Sequence, residues 1–180
     1  MPTRQQASRI VTAIALMWAL LASMSPVAYA QDERPSPLVD AIKHTVFDPT
    51  TYVPGIISYD ATMRDWRTSQ TFFQNGFVEH NARFTVSGMP DDTAINYGAG
   101  RHLILKDALG AVAVSAVQNL ATRLLEESLI SRYPEHRKLV RALGWVERVS
   151  VASFLSYQLS AAHYRQAQQN QELATQLGLR

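Results

Sequence analysis

The chain has 180 residues with 17 Lys and Arg against 15 Asp and Glu. Residues 1–30 hold Arg4 and Arg9 and no acid, which leaves 15 side chains of each sign in the other 150. That balance excludes a general electrostatic case for nucleic acid as a partner, and the lack of any cysteine excludes disulfides, thiolate metal centres and thiol nucleophiles.

The N-terminus reads as an export signal. Arg4 and Arg9 form a basic start, residues 10–24 (IVTAIALMWALLASM) are apolar and uncharged, and Pro26 breaks the run. Ala28-Tyr29-Ala30 then supplies small residues in the spacing of a cleavage site. The apolar run has 15 residues, where about 20 are needed to cross a bilayer as a helix. The expected mature chain starts at Gln31 and is exported to the periplasm or envelope, with retention as an anchor left open. Its 150 residues suit a single domain with its own core.

Residues 31–57 carry Pro35, Pro37, Pro49 and Pro54. Proline lacks an amide donor, so this stretch is expected to be an irregular lead-in with a turn or two of helix over 38–47. A helix is predicted over 58–73, capped by Ser58 or Asp60 and closed by Gly76. Residues 77–84 suit a short helical turn, and 87–100, rich in Gly, Pro, Asp and Asn, suit a loop. A long helix is predicted over 102–131 and another over 135–177, with Pro134 opening the second. The fold class is all-α: an antiparallel hairpin of two long helices plus one shorter helix. The helical domain is expected to span 58–164, with 165–180 as a polar, Gln-rich helical extension.

Residues 108–122 and 149–162 are uncharged and rich in small side chains. Both runs fall short of the 18 or more residues of a spanning helix. Ala108, Ala111 and Ser115 recur at helical intervals, as do Ser150, Ser153, Ser156 and Ser160, so close backbone approach is expected. Ser150, Ser153 and Ser160 are predicted to face Ala108, Ala111 and Ser115, with Leu109, Val112, Leu155 and Leu159 turned elsewhere.

Chemistry is less legible. No His pair has the i, i+3 or i+4 spacing of a helical metal site, since Lys106 occupies the position four after His102. No serine lies in a G-x-S-x-G elbow. Gly98-Ala99-Gly100 lacks the Gly-Lys-Ser/Thr ending of a phosphate loop and reads as a flexible helix entry. No cofactor, metal or catalytic residue is assigned. Arg132, Arg137, Lys138 and Arg141 with His136 form a basic patch at the tip of the hairpin, suited to water or to anionic headgroups.

Asp60, then Glu79-x-Asn81, then Lys106, followed by an apolar helix, a Pro-Glu-x-Arg-Lys tip and a second apolar helix, together resemble a family of small bacterial helical membrane proteins. Ala82 stands where that family has proline. The family has no assigned activity; the resemblance implies that Asp60, Glu79, Asn81 and Lys106 form a polar cluster linking the helices, which would have to be mutually satisfied. His80 and His102 are further candidates for that site. The expected function is that of a non-enzymatic envelope protein that packs against membrane or a partner protein through its hairpin. The alternative is a small exported enzyme or binding protein using Asp60, Glu79, His80 and His102.

Overall fold

The computed structural model describes residues 37–179. The expected signal and its cleavage site lie outside the described residues. Four α-helices follow in order: α1 (Pro37–Val46), α2 (Val53–Gln74), α3 (Tyr97–Arg132) and α4 (Arg137–Gln176). Single 3₁₀ turns occupy Pro49–Thr51, Ala82–Phe84 and Pro134–His136. Among the described residues there is no strand. Isolated bridges pair Glu79 with Asp92 and Thr85 with Ala94 inside the α2–α3 connection.

Residues 37–57 are more ordered than their prolines suggest. Pro37 is the first residue of α1, Pro49 opens a 3₁₀ turn, and Pro54 sits in the first turn of α2. A fixed φ favours proline in a first helical turn, where the missing amide has no partner to lose. The second helix therefore starts at Val53, before Ser58 and Asp60, and those residues lie inside it rather than capping it. Its end is as expected: Asn75 closes the helix and Gly76 takes φ +84°.

The third helix also starts early. Asn96 accepts the Ala99 amide at 2.9 Å, so Gly98 and Gly100 fall in the first turn instead of a loop. Gly100 has a packing role: a Cβ there would lie 2.6 Å from Trp66 Nε1 and closer still to the ring. Trp66 anchors the main apolar cluster with Met63, Phe84 and Ile104. Its indole donates to the Tyr97 carbonyl at 3.2 Å, and its ring centre is 5.1 Å from that of Phe84. A buried indole thus has both its apolar body and its N–H satisfied.

α2 lies against both long helices, and more extensively against α4 than α3 and α4 lie against each other. Gly55 meets Ala108 and Val112 while Trp66 meets Gly100, so α2 and α3 run in opposite directions. Asp60 meets Tyr164 and Ser69 meets Asn170, so α2 and α4 run in the same direction.

The close contacts are made by small residues, but not in the expected pairing. The buried stripe of α4 is Gly144, Arg148, Ala152, Ser156 and Ser160, then Ala167 and Asn170. Ser160 belongs to it; Ser150 and Ser153 are exposed. Steps of four from Gly144 define the buried ridge, and residues 150 and 153 are rotated away from it. On α3, Ala108 and Ser115 are buried and Ala111 is half-buried. The neighbour of Ala108 at closest approach is Gly55 of α2: a Cβ on Gly55 would lie 2.7 Å from the Ala108 carbonyl oxygen and 2.5 Å from Val112 Cγ2. Buried hydroxyls turn back on their own helices, with Ser115 donating to the Ala111 carbonyl at 3.0 Å and Ser156 to Ala152 at 2.7 Å.

The Gln-rich end is not solvated on every side. Ala167 and Asn170 are buried, and Asn170 Nδ2 lies 3.0 Å from Ser69 Oγ, 3.2 Å from Thr68 Oγ1 and 3.3 Å from Asp65 Oδ1. An 18-residue window of α3 has mean hydropathy 1.3, of which 22% is buried. By length and composition α3 can therefore cross a bilayer, although its uncharged run alone is shorter.

Candidate functional site: an ionic cluster and its cleft

The densest polar construction joins the α1–α2 connection to the facing sides of α3 and α4. Asp48 caps the 3₁₀ turn ahead of Pro49, accepting the Thr50 amide at 3.1 Å and the Thr50 hydroxyl at 2.7 Å through Oδ1. Its other oxygen accepts from Arg123 Nη2 at 2.6 Å and lies 3.1 Å from Arg148 Nε. Arg148 Nη1 donates to Glu126. Beside them, Asn119 Nδ2 reaches the Thr50 and Thr51 hydroxyls at 2.9 and 2.8 Å. Glu147 accepts from Gln118 and Thr122, each at 2.8 Å.

Two guanidiniums thus face two carboxylates in a nearly dry setting, with Arg148 only 5% and Glu126 8% exposed. Burial pushes the Asp48 carboxyl up, but the Thr50 hydrogen bonds and the charges of Arg123 and Arg148 outweigh it and hold it below its ordinary value of 3.8. Gly144 makes room for the pair: a Cβ there would lie 2.7 Å from Glu126 Cγ and closer to its carboxylate. The satisfaction is incomplete. Arg123 Nε and Arg148 Nε are sealed from solvent without a hydrogen bond, the latter because its approach to Asp48 is close but misaligned.

A cleft of about 400 Å³ opens onto this cluster. It is lined by Lys43, His44 and Phe47 of α1 and its exit, by Asp48 and Pro49, by Arg123 of α3, and by Trp145 and Arg148 of α4.

The candidate residues from the sequence lie elsewhere. Asp60, on α2, accepts Arg64 Nε and the Tyr164 hydroxyl, both at 2.8 Å. Those bonds hold its carboxyl below the ordinary range, the Arg64 contact contributing most. Glu79 accepts the Asn81 amide at 2.7 Å, Asn81 caps the 3₁₀ turn through Arg83, and His80 pairs with Asp91. His102 and Lys106 are exposed on the first turns of α3. The described hydrogen bonds and ion pairs join Glu79 to Asn81 but connect neither to Asp60, His102 or Lys106. Asp65, two turns beyond Ser58, faces His163 Nδ1 at 2.8 Å instead. Among the described residues no group of three or more His, Asp or Glu side chains is placed to hold a metal ion.

The sequence did carry a sign of the cluster that was formed. Asp48-Pro49-Thr50 is an N-cap followed by proline, and Arg148 stands between Gly144 and Ala152 in steps of four. A cation on the small-residue ridge has to be buried and paired. Comparison with protein-family models, with curated proteins and with solved structures finds no match.

Proposed function

We propose that the chain is an exported, non-enzymatic helical protein of the bacterial envelope, whose two long helices act as an antiparallel hairpin lying against the membrane. The observation that carries this reading is the distribution of exposed apolar side chains. Leu105, Leu109, Val114 and Val117 on α3 are 46–60% exposed, and Leu139, Leu143, Val146, Phe154 and Tyr157 on α4 are 50–65% exposed. Leu139, Leu143 and Val146 follow one another at helical spacing, so they share a face of α4. Extended apolar faces of this kind mark contact with lipid or another protein.

Charge supports lipid. Arg132, Arg137, Lys138 and Arg141 are all exposed near the turn between α3 and α4, with Glu135 as the acid nearest them. Basic groups gathered at one end of an apolar face suit anionic headgroups. The enzyme reading has less to rest on, because Asp60, Glu79 and His80 each engage separate partners.

Fractionation of cells expressing the tagged chain tests the proposal. The protein should sediment with membranes; recovery in the soluble periplasmic fraction before any alkaline wash would overturn it. Release or retention in a carbonate wash then distinguishes surface attachment from insertion.

A further inference from the structure

We propose that the cleft between α1 and α4 binds a phosphate ester. The cations at this cleft are already immobilised by the fold. Arg123 and Arg148 are fixed by Asp48 and Glu126, yet each guanidinium has donors to spare. Arg123 Nη1 and Arg148 Nη2 have no acceptor in the described protein and, unlike the two Nε atoms, are not sealed from solvent. Both arginines line the cleft. A donor fork held rigid by buried carboxylates meets an anion without first losing its own freedom, which is the advantage of arginine at a phosphate site.

Two more groups line the same cleft. Lys43 is exposed and has no ion-pair partner among the described residues. His44 has Nδ1 at 2.8 Å from the Asp40 carbonyl, which leaves Nε2 available to the cleft. Among the lining side chains Lys43, Arg123 and Arg148 are cationic and Asp48 is the one carboxylate, so the lining is positive. The aromatic pair gives the second half of the ligand's chemistry. Phe47 is 80% and Trp145 60% exposed, and both line the same cleft. Apolar rings beside a cationic base fit an ester with a hydrocarbon body better than a fully hydrated anion.

The shared chemistry is the phosphate; its source is either a membrane phospholipid or a free phosphate ester. The lipid source rests on the membrane reading proposed above, whereas the cleft itself does not. Trp145 serves as the reporter, since Trp66 is buried in the apolar core. The fluorescence of the full chain is followed at low salt during titration with inorganic phosphate, and separately with vesicles of phosphatidylglycerol or phosphatidylcholine. Parallel titrations use Trp145→Phe, to subtract the other tryptophans, and Lys43→Glu, a change at an exposed position.

The expected result is a saturable change in Trp145 emission with phosphatidylglycerol, antagonised by added phosphate and weakened at least tenfold by Lys43→Glu. A saturable response to phosphate with no binding to vesicles keeps the site and discards the membrane reading. Equal binding to both vesicle types, unaffected by Lys43→Glu, keeps the membrane reading and overturns the site. Protein that is helical by circular dichroism yet responds neither to phosphate nor to vesicles overturns both.

Discussion

Arg148 illustrates how one side chain ties three segments together. It meets Asp48 from the α1–α2 connection and Glu126 from α3 while standing on α4. Replacing it by methionine preserves much of the volume but leaves Asp48 with Arg123 alone and the buried Glu126 without its cation. Breaking a buried pair by removing one partner costs about 3–5 kcal/mol, so the urea midpoint of Arg148→Met should fall steeply. Adding Glu126→Leu should recover part of the loss, because a carboxylate left without its cation is then gone; a further fall instead would contradict the pairing. Asp48 adds a dependence on pH. Its folded carboxyl titrates below 3.8, so on acidification the unfolded chain takes up the proton first. The stability that Asp48 contributes is present above that value and disappears as pH falls through the folded one. Between neutral pH and about pH 2, Asp48→Asn should lose less stability than the parent chain, measured by urea denaturation at each pH.

At the scale of elements, the helix class, the two long helices and the tight Pro134 turn were legible, because helix formers, proline and glycine act locally. The helix starts at Val53 and Tyr97 were not. Gly98 and Gly100 have the composition of a loop, and only the distant Trp66 ring explains why glycine is needed inside that first turn. Side-chain pairing was the least legible of all. Both Ser153 and Ser156 obey helical spacing, and the choice between them depends on which ridge a third helix occupies. That choice gives a direct comparison: Ala152→Leu forces volume into the buried ridge and should cost about 1–3 kcal/mol by overpacking, whereas Ser153→Leu, on an exposed face, should leave the thermal midpoint nearly unchanged. Gly55→Ala should also lower the midpoint, since its Cβ would meet the Ala108 carbonyl, which is backbone and cannot swing aside. An unchanged midpoint for Gly55→Ala would remove the case for close α2–α3 contact.

For the whole molecule, the two ends of the bundle are held by different chemistry. One end is organised by Trp66, Met63, Phe84 and Ile104, the other by Asp48, Arg123, Glu126 and Arg148. The candidate site drawn from the sequence missed the second end because its members lie far apart in the chain, as far as Asp48 from Arg148. Asp60, Glu79, Asn81 and Lys106 were set together by a resemblance in their order along the chain, and order along the chain carries no information about which side of a helix turns inward.

The narrow ridge of Gly144, Ala152, Ser156 and Ser160 has a calorimetric consequence. Such side chains bring little hydrocarbon into contact with water when the chain unfolds, and the ionic end exposes polar surface, which lowers heat capacity. The heat-capacity increment of unfolding should therefore fall below the ordinary ~12–15 cal/mol/K per residue. A smaller increment flattens the dependence of stability on temperature, so cooling should change it little and cold unfolding should be pushed further below freezing. Scanning calorimetry at several pH values, plotting unfolding enthalpy against midpoint temperature, measures that slope; one at or above the ordinary value would mean that unfolding exposes far more hydrocarbon than this interface contains.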